Sequence, residues 1–261
     1  MERDRSFDRE HHIRCFGHIL NLCAQNALGL VEEELSGIRD YIKAIIHRSK
    51  RLQQLKDDFT LTGGKNFVKP KLDVKTRWNS TADMIIRSLR LKDGLSCTMD
   101  SMFHEASARK RRKGKSACIV DNNEESFVQI TEEHWKNFTD ILDVLQPLKS
   151  ATEIMSGDSY PSLNMVVPAY VAIMNHLERL SSGTGTDRGS RYTESDFKID
   201  ASKAALMKLA KYYDISSELC TIATVLDPRL KLDFYKEDKN SSAETPEEIG
   251  SYVKSFYDRD Y

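Results

Sequence analysis

Apolar residues recur every three or four positions along most of this chain, and almost nowhere do they alternate as a strand requires. That period gathers apolar side chains into one stripe of a helix. The stretch "SGIRDYIKAIIHRSKRLQQLKDDF" (36–59) puts Ile38, Tyr41, Ile42, Ile45, Leu52 and Leu55 on one face, with Ser36 placed to cap. "FGHILNLCAQNALGLV" (16–31) carries Ile19, Leu20, Cys23, Ala27 and Leu30 on a second stripe. In "TEEHWKNFTDILDVLQPL" (131–148), Thr131 precedes two acids, and Trp135, Phe138, Leu142 and Leu145 form the inner face. Pro147 should kink or end that helix. Further helices are expected near 162–180, 199–214, 216–226 and 246–257, with Pro168 interrupting an early turn of the first.

Strand signals are thin: only "HHIRCF" (11–16) reads as one. The expected fold is therefore mainly all-α, with at most one N-terminal strand. A charged tail and that strand occupy 1–16, a helical body 17–235, and a further helical segment 236–261. Residues 104–130 and 181–196 are polar and aperiodic and read as mobile loops.

Composition narrows the function classes. Charged residues make up 30% of the 261, yet 39 basic side chains face 40 acidic ones, so any affinity for nucleic acid must be local. The longest apolar runs are a few residues, so no membrane span is expected. The charged N-terminus has no apolar segment of a secretory signal. Five scattered cysteines without a Cys-x-x-Cys suit a reducing compartment. Among enzyme motifs, GxSxG, GxGxxG, HExxH and the P-loop are all missing.

Four constellations remain. In "HHIRCFGHILNL", Cys15 and His18 make a Cys-x-x-His that supplies half of a zinc site; His11 and His12 are too close in sequence to complete it readily. The favoured reading is a free Cys15 with His18 at a helix start, where backbone N–H groups meet phosphate. In "LDVKTRWNST" (72–81), Arg77 offers a planar fork for phosphate. Trp78 is either a core residue or a face on which a base stacks for ~1–3 kcal/mol. Asn79 or Ser80 caps the helix that follows. "RKRRKGK" (Arg109, Lys110, Arg111, Arg112, Lys113 and Lys115) reads as nuclear import, DNA backbone contact or a solvated loop, with import preferred. Finally, Asp227-Pro228 in "ATVLDPRLKLDFY" reads as a structural corner pinned by Arg229.

In this order the segments "RCFGHILNLCAQNALG" (14–29), "LDVKTRWNSTADMI" (72–85), "YPSLNMVVPAY" (160–170) and "LAKYYDISSELCTIATVLDPRLKL" (209–232) resemble the hAT transposase superfamily, relatives of BED-type zinc finger proteins. The resemblance implies an RNase H-like core interrupted by an all-α insertion domain. It implies DNA contact at Cys15, His18, Arg77, Trp78 and Asn79, the tryptophan stacking on a flipped base. It also implies three acidic residues (Asp, Asp, Glu) holding Mg or Mn in the intact family enzyme. The first two belong upstream of the Cys-x-x-His, where only fourteen residues stand; Asp4 and Asp8 lie in the charged tail, and Asp73 and Asp227 belong to other motifs. The expectation is a nuclear transposase-derived chain, cut at both ends, with no catalytic residues or cofactor of its own. Its expected partner is DNA, with a protein partner or a second copy covering the face left by the core. The alternatives are a helical interaction scaffold and a part of a longer active transposase.

Overall fold

The computed structural model describes residues 15–113, 127–157, 162–187, 190–237 and 245–260. Ten α-helices occur among them: α1 (Phe16–Leu28), α2 (Glu32–Ile46), α3 (Ser49–Leu61), α4 (Trp78–Arg90), α5 (Lys92–Lys113), α6 (Glu132–Met155), α7 (Val166–Ser181), α8 (Asp196–Leu226), α9 (Asp233–Glu237) and α10 (Pro246–Asp260). One antiparallel hairpin joins β1 (Thr184–Asp187) to β2 (Ser190–Thr193), with Thr184 opposite Thr193. The fold is mainly all-α, as the apolar period predicts.

The helices form two compact units, a division the sequence does not announce. One comprises Leu28–Asp143; the other comprises the chain up to Ala27 and from Val144 onward. In the first, Leu35, Ile38, Tyr41, Ile42 and Ile45 of α2 are buried, as are Leu55 and Phe59 of α3, Met84 and Ile85 of α4, and Trp135 and Phe138 of α6. Gly94 of α5 lies so close to α3 that a Cβ there would stand 2.5 Å from the Phe59 Cα. In the second unit, Leu20 and Cys23 of α1, Leu145 and Leu148 of α6, Tyr170 and Leu177 of α7, and Ala205 and Leu209 of α8 are buried. The Tyr170 ring packs on Phe16 at 4.9 Å and on Tyr213 at 5.3 Å.

Several expected boundaries move, each for a local reason. Residues 36–59 form two helices, because polar Arg48 and Ser49 stand where the buried stripe needs its next apolar residue; Arg48 is extended at φ −125°, ψ 109°. Ser36 lies inside α2 rather than capping it. Conversely, 199–214 and 216–226 are one helix, since α8 contains neither Gly nor Pro; Ser195 caps it by accepting the Lys198 N–H at 3.1 Å. Pro147 does not end α6, which continues to Met155 because Leu148 and Ala151 carry the buried face onward. That packing outweighs the ~3 kcal/mol a mid-helix proline costs. Thr131 does cap α6, accepting the His134 N–H at 3.4 Å.

The two expected loops also contain regular structure. Residues 104–113 continue α5, since Ala, Glu, Arg and Lys are good helix formers and cations suit a helix C-terminus. The rest of that stretch up to 126 lies outside the described residues. Residues 184–187 and 190–193 pair as the two strands, closed by Glu194 N–H to Gly183 C=O at 2.9 Å. The expected strand at 11–16 falls outside the described residues except at its end, where Phe16 is already helical.

Candidate nucleic-acid interface

Between α3 and α4 the chain runs without regular structure over residues 62–77, and its start is set by two glycines. Gly63 takes φ 86°, a conformation that favours glycine, and donates its N–H to Thr60 C=O at 3.1 Å; Gly64 donates to Phe59 C=O at 2.8 Å. This paired pattern closes the C-terminus of α3 and turns the chain. The segment then returns alongside α4 in the opposite direction, as a strap. Arg90 donates to Asn66 C=O at 3.3 Å, and Arg87 to Lys69 C=O at 3.1 Å. Lys71 pairs with Asp83 at 3.0 Å, Thr81 donates to Asp73 at 2.7 Å, and Ser80 Oγ accepts the Val74 N–H at 2.9 Å.

The deepest anchor is Asp73, whose side chain is 1% exposed. Arg39 of α2 grips it with two nitrogens: Nε at 3.0 and 3.1 Å from the two carboxylate oxygens, and an Nη at 2.9 Å. Its other Nη donates to Glu32 at 2.9 Å. Burial alone would raise the Asp73 pKa, but the hydrogen bonds from Arg39 and Thr81 and the Arg39 charge hold it below its ordinary value. Burial likewise works against charged Arg39, and Asp73 followed by Glu32 reverses that, raising its pKa. A bidentate, buried pair of this kind holds the strap to the helices rather than merely decorating the surface.

This anchoring separates the two neighbours Arg77 and Trp78. Arg77 is the last strap residue, extended at φ −118°, ψ 96°, and exposed. Trp78 opens α4 and is 4% exposed, in line with Thr81, Ala82 and Ile85 on the buried stripe. Of the two readings open for Trp78 in the sequence, its burial is that of a packed residue. Neither Asn79 nor Ser80 is the cap: Arg77 holds that position without a side-chain cap bond, and both lie in the first turn. Ser80 ties back to the strap instead, with the Arg77 carbonyl 2.7 Å from its Oγ. The Asn79 Oδ1 is buried and has no hydrogen-bond partner among the described residues.

Cys15 and His18 belong to the other unit and are both exposed. The Cys15 C=O accepts N–H groups of His18 at 3.0 Å and Ile19 at 3.2 Å, starting α1. Among the described residues no three His, Cys, Asp or Glu side chains gather as metal ligands. Arg109 to Lys113 form the end of α5, while Lys115 lies outside the described residues. At the Asp227 corner, Arg229 donates through Nε at 3.1 Å and an Nη at 2.8 Å, its backbone N–H adds a bond at 2.9 Å, and Asn164 donates from the neighbouring turn. Those bonds hold the Asp227 carboxyl well below the usual range. This is a structural corner, as read.

The residues missed by motif reading are the lysines of the strap. Residues 62–92 contain eight Lys or Arg and two Asp, a surplus hidden by the chain's net charge of −1. Both acids are matched internally, Asp73 by Arg39 and Asp83 by Lys71.

Comparison with known proteins gives the lineage. A family model for the ZBED1 RNase-like helical domain matches residues 13–144, half of the chain. The chain belongs to that family and is related to the hAT transposases. A Zea mays protein named for the AC transposase is 26% identical over 237 residues, covering 86% of this chain and 24% of that protein. Zinc finger BED domain-containing protein RICESLEEPER 2 of Oryza sativa subsp. japonica is 27% identical over 226 residues, covering 84% and 26%. A Talaromyces stipitatus protein named for the transcriptional regulator tpeD is 23% identical over 255 residues, covering 86% and 24%. The hAT-related chain thus spans about a quarter of the length of these relatives. No solved structure matches it.

Proposed function

We propose that this hAT-related chain is a DNA-handling helical domain whose contact centres on Arg77. The observation that carries the reading is the family motif itself: its arginine stands exposed at the head of α4, on a strap braced by Asp73 and Arg39. Trp78 and Asn79 set the backbone that presents it. Exposed Cys15 and His18 at the start of α1 are the second contact, a helix N-terminus being suited to phosphate. The role proposed for these residues is DNA binding. The basic run from Arg109 to Lys115 serves nuclear import.

The test is binding of the purified chain to a labelled DNA hairpin at about 50 and 200 mM salt. Phosphate contacts release counterions, so affinity must fall as salt rises. Binding that is absent, or indifferent to salt, overturns the proposal. Import is checked by fusing the chain to a fluorescent protein; replacing the six cations of 109–115 by Gln should leave the fusion distributed through the cell.

A further inference from the structure

We infer that the strap is a phosphate track, in which Lys65, Lys69, Lys75 and Arg77 follow a nucleic-acid backbone without reading its bases. This rests on the proposal that the chain binds DNA, and it assigns residues and ligand chemistry that the motifs do not.

Three observations support it. First, the cations are held by backbone placement. Between Asn66 and Val74 the strap is tied at five points to α4, from Arg90 back to Ser80. Lys69 lies inside that braced stretch, Lys65 adjoins its start, and Lys75 and Arg77 follow its end. The stretch runs beside residues 80–90, about 15 Å of helix, a length along which one DNA strand presents roughly four phosphates.

Second, the two acids of the segment are already paired. Asp73 is enclosed by Arg39 and Thr81, and Asp83 forms an exposed pair with Lys71 at 3.0 Å. Glu32, 4.0 Å from Lys75, also takes the 2.9 Å bond from Arg39. Lys65, Lys69 and Arg77 are exposed.

Third, both aromatic rings of the segment are engaged in packing within the protein. Trp78 is 4% exposed, and half-buried Phe67 packs against Phe59 with ring centroids 5.7 Å apart. Stacking on single-stranded bases needs an open ring face. A track of cations without one recognises the backbone and is indifferent to sequence.

The deciding experiment compares the wild-type chain with a Lys69→Gln/Arg77→Gln double variant on duplex DNA across 50 to 200 mM salt. Both positions are exposed, and matching thermal melts would show that the fold is kept. Each lost phosphate contact lowers the slope of log affinity against log salt by about 0.9 on duplex. The variant's slope should therefore be shallower by about two, and its affinity lower at 50 mM. Two duplexes of unrelated sequence should bind alike. If the wild type binds DNA but the variant keeps the full slope, the track is wrong while DNA binding stands at another site. If the wild type binds no DNA, the track and the proposed function fall together. Equal binding to polyglutamate overturns the track in favour of an acidic polypeptide. A preference above about tenfold for a hairpin with an unpaired base over the same hairpin fully paired would show that bases are read after all.

Discussion

At the residue scale, the divergence of Arg77 and Trp78 separates effects that a shared motif would confound. Removing Trp78 empties a core position, so Trp78→Ala should cost about 3–5 kcal/mol of stability, measured by urea unfolding. A stacking platform on the surface would cost little stability and only weaken binding. Asp73 contributes to the pH dependence of stability, as does Asp227. The folded pKa of Asp73 lies below its ordinary value, so its stabilisation is fully present above about pH 4 and is lost as pH falls toward the depressed value. Asp73→Ala leaves Arg39 buried without its main partner, and breaking such a pair costs about 3–5 kcal/mol at neutral pH. The variant should also show a shallower loss of stability between pH 5 and about pH 2 than the wild type, read from urea midpoints across that range. The four cysteines among the described residues divide by environment. Burial pushes the Cys23 thiol up to about 12 and Cys220 to about 11, whereas Cys15 and Cys97 are exposed. Alkylation at pH 8 followed by mass spectrometry should label Cys15 and Cys97 first, and Cys23 and Cys220 only on unfolding.

At the element scale, the approach of α5 to α3 depends on Gly94. A Cβ there meets the Phe59 Cα at 2.5 Å and its N at 2.6 Å, backbone atoms that no rotamer change can move. Gly94→Ala should therefore lower stability by about 3 kcal/mol, at the upper end of overpacking costs. Gly37→Ala, whose Cβ would meet only side-chain atoms at 3.4 Å or beyond, is the matched control and should change little. Thermal melts of the two variants give the comparison. Elements of this kind were legible in the sequence where the signal is local. Ile38, Tyr41, Ile42 and Ile45 mark the face of α2, and all four are buried. Legibility failed where packing decides: Pro147 is carried through α6 by buried neighbours on both sides, and the polar end of α5 reads as a loop although its residues favour helix. Asn79 and Ser80 look like caps by residue type, but the true helix start is one residue before them, because Asp73 and Ser80 fasten the strap there.

At the scale of the whole molecule, the net charge of −1 hides a strongly basic segment of 31 residues, so the expected salt-dependent DNA binding would coexist with an ordinary pI near 6.7. Family membership rests on residues 13–144, which run from the start of α1 into α6 and include the whole strap. No described helix is long and apolar enough to cross a membrane. By itself, the sequence determined the helical class, most helix faces, the Asp227 corner and the hAT lineage. These follow from periodicity, turn chemistry and motif order, each carried by residues near one another in the chain. Only the tertiary structure decided the division into two units, the burial of Trp78 beside an exposed Arg77, and the docking of the strap on α4. Those depend on partners far apart in sequence. Arg39 reaches Asp73 across 34 residues and Arg90 reaches Asn66 across 24, and such pairings leave no periodic trace because they exist only once the helices have packed.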